Sequence, residues 1–260
     1  MNFKQTAINA AKAAGKIQTK YFGKDIKKRW KKGYNAVTQA DMDSIKIIRK
    51  IILNKFHNHG ILDEELGYKK AKSDYKWIID PLDGTHNFIA HNPLFGVSIA
   101  LEYKKEIILG IVYFPILNRL YHAEKGKGSF CNGKKIKVNS EKDLKKSMFI
   151  FDAKIREKTD MKLDILRILA PLTWRMRIWG VAVYNNILVA EGHAVLNIDF
   201  DSHPWDHSAA LLIVEEAGGK VTDLKGRRWT PYVKDYIASN GKVHDRVLGI
   251  IKKTTLPYSK

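Results

Sequence analysis

The sequence predicts an α+β fold, a layered α/β/α/β/α sandwich, and three observations carry that expectation. Apolar residues recur at spacings of three and four in two segments before residue 60, as amphipathic helices require. Two long apolar runs, Phe95–Tyr103 and Ile107–Phe114, are separated only by Lys104-Lys105-Glu106 and read as a hairpin of central strands. Helix and strand runs alternate only loosely, with a soft boundary near residue 140 and no internal repeat or long linker.

Taken in order, Phe3, Ala7, Ala11, Ala14, Ile17 and Tyr21 define a helix over residues 3–22. A second helix carries Ile45, Ile48, Ile52 and Phe56 on one face, and Asn58-His59-Gly60 breaks it. Ile61-Leu62 reads as a short strand leading into Asp63-Glu64-Glu65, and Trp77-Ile78-Ile79 as another that delivers Asp80. Gly126-Lys127-Gly128 and Asn132-Gly133 signal turns. Beyond the boundary, Val183–Glu191 reads as a helix ending at Gly192, and His207–Ala217 as a helix closed by Gly218-Gly219.

Composition excludes several classes. With 260 residues, 45% hydrophobic and 28% charged, the chain can bury a sizeable core, so disorder and collagen-like repeats are set aside. The longest nearly apolar run, Ile107–Leu117, is about half of what a bilayer needs, so no membrane span is expected. No signal-peptide core opens the chain, and one cysteine, Cys131, cannot form an internal disulfide. A cytoplasmic protein is expected. The formal net charge of +19 attracts polyanions, and six of the nine residues in Lys24–Lys32 are basic. Lysine is nevertheless spread over nearly every segment, unlike the single basic stripe of a nucleic-acid binder.

The chemistry concentrates in Asp80-Pro81-Leu82-Asp83-Gly84-Thr85. Two carboxylates three residues apart after an apolar strand converge if the chain between them turns tightly, and Pro81 and Gly84 favour such a turn. Gly84 and Thr85 then open the next element with free N–H groups suited to a phosphate. Taken alone, the segment also reads as a strand ending in a turn, with Asp83 capping a helix. Glu64-Glu65 upstream and Trp205-Asp206 downstream weigh against that reading. Four acids at the ends of apolar segments would repel one another unless cations such as Mg²⁺ neutralised them.

WIIDPLDGTHNF (Trp77–Phe88) and WDHSAALLIVEEAGG (Trp205–Gly219) resemble the two signatures of the inositol monophosphatase family. Val37-Thr38-x-x-Asp41, the Glu64-Glu65 pair, Gly126-x-Gly-x-Phe-x-Asn-Gly133 and Ala238-Ser-Asn-Gly241 agree, so the resemblance spans roughly residues 3–250. It implies a phosphoric monoester hydrolase that uses two or three Mg²⁺ ions held by Glu64, Asp80, Asp83, Asp206 and the carbonyl of Leu82. Gly84 and Thr85 would bind the phosphate, while Asp41, Thr85 and Glu64 would orient and activate the attacking water. Asp83, Ala182 and Asp199 would contact the substrate alcohol. Residues 1–140 would carry the first motif and 141–260 the Trp-Asp motif and substrate contacts, as one catalytic unit. A lithium-sensitive homodimer acting on a small phosphorylated metabolite is also implied.

Departures from the family pattern remove none of the metal-binding acids: Val181 and Asp199 replace a common Ser/Thr and Glu, Asp63 and Asp201 replace glycines, and Ser208 and Ala210 replace Ala and Gly. They leave open whether the substrate is inositol monophosphate or a similar sugar phosphate, fructose 1,6-bisphosphate, histidinol phosphate or 3′-phosphoadenosine 5′-phosphate. A regulator binding RNA or the transcription machinery through Lys24–Lys32 is the reading of another class. A zinc cluster at His203, Asp206 and His207, a Ser or Cys nucleophile, and base stacking on Trp174 or Trp179 are weaker readings.

Overall fold

The computed structural model describes residues 2–31, 35–70 and 72–255. Helices α1 (Phe3–Tyr21) and α2 (Gln39–Lys55) pack together on one face of an eight-stranded sheet. Its strands run in the order β10 (Lys134–Ile136), β9 (Ser129–Cys131), β8 (Arg119–Glu124), β7 (Glu106–Phe114), β6 (Gly96–Tyr103), β5 (Tyr75–Asp83), β3 (Gly60–Asp63), β4 (Gly67–Lys69). A small hairpin, β1 (Lys28–Trp30) and β2 (Ala36–Thr38), precedes α2.

A second sheet has the order β12 (Arg175–Arg177), β11 (Met148–Phe151), β13 (Leu196–Asp199), β15 (Tyr236–Ser239), β14 (Lys220–Asp223). Helices α5 (Ala182–Ala190) and α6 (Pro204–Glu216) lie between the sheets, while α4 (Thr159–Leu169) and α7 (His244–Thr255) cover the outer face of the second. The five layers are those expected. The short helix α3 (Thr85–Ile89) follows β5 directly.

Hydrophobicity explains the layering. Helix α6 is buried on nearly every side from His207 to Val214, as a helix wedged between two sheets must be. Its backbone comes so close to β7 that a Cβ on Gly110 would stand 2.5 Å from the Ala209 carbonyl oxygen. Helices α1 and α2 instead bury one stripe each, Ala7, Ala10, Ala11 and Ala14 meeting Ile45, Ile48 and Ile52.

Two boundaries differ from the sequence expectation, and both shape the site. Helix α6 begins at Pro204, three residues earlier than His207. Proline needs no N–H partner in a first turn, so Asp206 lands inside that turn, where its Oδ2 accepts the His203 N–H at 2.9 Å. Strand β5 does not stop at Ile79 but runs through the motif to Asp83. Its register against β6 passes from Asp80 opposite Ser98 to Asp83 opposite Gly96, so Pro81 and Leu82 together face Val97. Strand side chains alternate, so residues three apart normally point to opposite faces. The extra residue of this bulge cancels the alternation, and it also accommodates Pro81. Asp80 and Asp83 therefore reach the same cleft.

Candidate active site

Parallel strands align their ends, and each sheet contributes such a pair. Strands β3 and β5 run parallel with Asp63 beside Ile79, which brings Glu64 next to Asp80; the Glu64 N–H bonds the Ile79 carbonyl at 3.3 Å. Strands β11 and β13 also run parallel, setting Asp152 beside Asp199; the Asp152 N–H bonds the Ile198 carbonyl at 3.0 Å. The ends of both pairs open into one cleft of about 560 Å³, lined by Glu64, Asp80, Leu82, Asp83, Gly84, Thr85, Ala182, Asp199 and Asp206 among others. A larger cavity of about 870 Å³ near Met161 and Leu224 contains none of these residues.

Gly84 takes φ +90° before α3, a left-handed conformation that favours glycine. A Cβ there would stand 2.9 Å from Val181 Cγ2 and 3.0 Å from the Leu94 carbonyl oxygen. The first N–H groups of α3 have no acceptor within the helix and so face outward. Thr85 Oγ1 lies 3.0 Å from both Asp41 Oδ1 and the Leu82 carbonyl oxygen. Asp41 sits behind Thr85 and is itself buried. Its Oδ2 accepts from the Thr38 N–H at 2.8 Å and the Thr38 hydroxyl at 2.5 Å, the capping geometry of α2. One carboxylate thus caps a helix through one oxygen and holds Thr85 through the other.

The acids are buried where charge is costly. Burial raises Asp41 to about 6, against hydrogen bonds from Thr38 and Thr85 that pull it down. Burial raises Glu64 to about 7; Lys31 opposes the rise, while Asp206 and Glu65 add to it. Burial likewise lifts Asp83 to about 7, against the Val183 N–H and with repulsion from Asp206 and Glu64. Asp80 is pushed well above the usual carboxylate range by burial and then by Glu64, Asp83 and Asp206.

Cations relieve this repulsion. Lys31 reaches Glu64 Oε1 at 3.2 Å and Glu65 Oε1 at 2.6 Å, and Lys154 stands 3.7 Å from Asp206 Oδ2. Among the described residues, no three His, Cys, Asp or Glu side chains already surround one point closely enough to hold a metal. The donor set nevertheless suits a hard divalent ion: Glu64, Asp80, Asp83, Asp206 and the Leu82 carbonyl offer only oxygen. The zinc reading fails on geometry, because His207 is buried with Nδ1 3.0 Å from the Ser202 hydroxyl and its ring against Tyr236.

The departures from the family pattern sort themselves by position. Val181, Asp199 and Asp201 line the cleft; Asp63, Ser208 and Ala210 do not, so those three carry no information about the substrate. Asp63 is fully buried, pairs with Arg49 at 2.5 Å, and accepts the Glu65 and Leu66 N–H groups, which fixes the turn presenting Glu64. Ser208 bonds the Pro204 carbonyl within α6. Asp201 adopts φ +50°, which accounts for glycine being common there, and pairs with Lys158 at 2.8 Å.

Val181 occupies the cap position of α5, where a Ser or Thr hydroxyl would accept a helix N–H. Here Asp83 Oδ2 reaches across from β5 and accepts the Val183 N–H at 2.7 Å. The missing hydroxyl is thus in part a helix-capping change. The other expected substrate contacts, Ala182 and Asp199, do face the cleft, and burial together with Asp152 holds Asp199 well above the usual carboxylate range.

Several cleft residues escaped the sequence reading, Lys154, Arg156 and Asn185 among them. Lys154 and Arg156 follow β11 in a loop without a motif. Asn185, on the first turns of α5, is buried and its Oδ1 has no partner among the described residues. Its place at an i+3 step from Ala182 was the available signal. Trp174 and Trp179 do not line the cleft, so neither offers a base-stacking surface there. In the basic run, β1 is exposed and Lys31 is engaged by Glu64 and Glu65, while Lys32 lies outside the described residues.

A layered sandwich that gathers buried acids beside a left-handed Gly-Thr turn defines the class as phosphoric monoester hydrolases of the sugar-phosphatase type. The comparisons agree. A profile of the inositol monophosphatase family matches residues 2–255. A fructose-1,6-bisphosphatase/inositol-1-monophosphatase of Aquifex aeolicus is 36% identical over 255 residues, covering 96% of this chain and 95% of the relative. A histidinol-phosphatase of Chlorobaculum parvum is 39% identical over 228 residues, 86% of each chain. The solved structure of the Thermotoga maritima IMPase superposes with a TM-score of 0.91 at 32% identity over 98% of both chains. The chain belongs to the inositol monophosphatase family, whose members are generally Mg²⁺-dependent.

Proposed function

We propose that this protein hydrolyses the phosphate monoester of a sugar or polyol, inositol monophosphate or a similar compound, with Mg²⁺ held by Glu64, Asp80, Asp83, Asp206 and the Leu82 carbonyl. The observation that carries this reading is the meeting in one cleft of these acids, Asp80 and Asp83 buried and Glu64 and Asp206 partly so, with Gly84 and Thr85. Mg²⁺, when bound, supplies an electrophile for phosphoryl oxygens and makes water more acidic. Gly84 and Thr85 bind the phosphate through their N–H groups. The Thr85 hydroxyl donates to Asp41 Oδ1 at 3.0 Å, which leaves its lone pairs to accept from the attacking water. Asp41 thereby fixes the direction of that water, and Glu64 stands as the acceptor for its second proton. Asp199 and Ala182 face the alcohol portion.

Phosphate release would be measured from inositol 1-phosphate, fructose 1,6-bisphosphate, histidinol phosphate and 3′-phosphoadenosine 5′-phosphate, with Mg²⁺ and with EDTA. Release is expected only with Mg²⁺, and Asp83→Asn should lower kcat by about 10³-fold, since the asparagine keeps the helix-capping acceptor but loses the charge. Folded protein that releases phosphate from none of the four overturns the reading.

A further inference from the structure

The geometry points to Lys154 as the residue that chooses the alcohol portion of the substrate: we infer that it receives a second phosphate carried by that portion. Sugar or polyol bisphosphates are then accepted beside the monophosphates, and phosphates of cationic amino alcohols are disfavoured. The inference rests on the phosphatase reading above and narrows its substrate class.

The loop after β11 is built to aim this side chain. Asp152 is buried and pairs with Lys162 at 2.7 Å, and Lys162 has no solvent exposure. Lys162 Nζ also donates to the Lys154 carbonyl at 2.5 Å, and Asp152 Oδ1 accepts the Lys154 N–H at 2.9 Å. Three polar contacts thus fix the backbone at residues 152–154, and leaving any of these buried groups unmatched would be costly. The Lys154 side chain leaves this anchor and enters the cleft between Asp199 and Asp206, with 40% of its surface exposed.

Among the described residues no side chain hydrogen-bonds the Lys154 ammonium, although Asp199 faces it as well as Asp206 and Arg156 also lines the cleft. Asp152 is matched by Lys162 and Asp201 by Lys158. Lys154 stands 3.7 Å from Asp206, beyond good hydrogen-bond distance, and that Asp206 oxygen already accepts the His203 N–H. Once Asp206 faces a divalent cation, its pull on Lys154 weakens. The ammonium then meets whatever the alcohol portion presents. A phosphate there gains a charge-assisted hydrogen bond; an ammonium there is repelled.

The test compares the full-length protein with Lys154→Gln and Lys154→Arg. In Mg²⁺, the ratio of kcat/KM for fructose 1,6-bisphosphate to that for inositol 1-phosphate should fall roughly 10- to 100-fold in the glutamine variant, chiefly through KM. The arginine variant should restore most of the ratio. Wild-type protein should rank histidinol phosphate below fructose 1,6-bisphosphate. An unchanged ratio in Lys154→Gln, or a wild-type preference for histidinol phosphate, overturns the inference. Calorimetric binding of fructose 1,6-bisphosphate with Ca²⁺ in place of Mg²⁺ supplies a readout apart from turnover, and the glutamine variant should bind more weakly by a similar factor. Equal binding by both proteins, or binding by neither, sinks Lys154 as the selector. Tight, Lys154-dependent binding without any turnover would instead fault the phosphatase reading.

Discussion

The two parallel strand pairs, β3/β5 in the first sheet and β11/β13 in the second, face the same cleft with the same architecture and opposite charge logic. At the end of β3/β5, Glu64, Asp80 and Asp83 crowd together, and among the described residues Lys31 reaches in from the β1–β2 hairpin. At the end of β11/β13, Asp152 is already neutralised by the buried Lys162, and Lys154 faces Asp199. The first wall carries more negative charge than its own residues balance, which suits cations. The second is balanced internally and can be altered without disturbing that demand. Chemistry and selectivity can therefore change independently, even though both walls share one cavity.

The strongest way to break this contrast is to remove cations and vary pH. Asp41, Glu64 and Asp83 have folded-state values of about 6, 7 and 7, above their ordinary values near 4. The folded state thus holds protons that the unfolded state has released, and without cations their stabilising effect is present at low pH and lost as pH rises through 6 to 7. In EDTA the Tm should be lower at pH 8 than at pH 5.5, reflecting a loss of stability on the order of several kcal/mol. Mg²⁺ should raise the Tm more at pH 8. A Tm that ignores both Mg²⁺ and pH across this window would remove the contrast between the walls.

Thr85→Val sharpens the first wall. It keeps the shape of the side chain and deletes the hydroxyl shared by Asp41 and Leu82. We expect kcat to drop roughly 10²-fold with KM little changed, checked by steady-state kinetics on the preferred substrate. A kcat within about threefold of wild type would place the water elsewhere.

Val181→Thr probes the second wall and should have the smallest effect. A threonine there can supply the missing cap of α5, stabilising the protein by up to about 1 kcal/mol in thermal unfolding. The order of substrate preference should stay as it is. A reversed order would make that hydroxyl, and not Lys154, the principal selector.

The acid wall was largely legible in the sequence because most of its parts are contiguous. Asp80 to Thr85 lie on one strand and the turn after it, and Asp206 lies beside Pro204 in one helix turn. Their spacing survives any packing of the rest. The alcohol wall was hardly legible: Lys154 belongs to no motif, and its direction follows from a buried Lys162 eight residues away. Asp63 shows the converse hazard. It stands beside Glu64 in sequence, yet Arg49 from α2 draws its side chain out of the cleft.

By itself, then, the sequence determined the layers, the identity of the acids and the Gly84 turn, because periodic burial and backbone sterics act over short stretches of chain. Tertiary structure alone decided the bulge that turns Asp80 and Asp83 the same way, the reach of Asp83 to cap α5, and the counterions of Asp63, Asp152 and Asp201. Those outcomes depend on which distant backbone or charge packs within a few ångströms, and no local spacing encodes that.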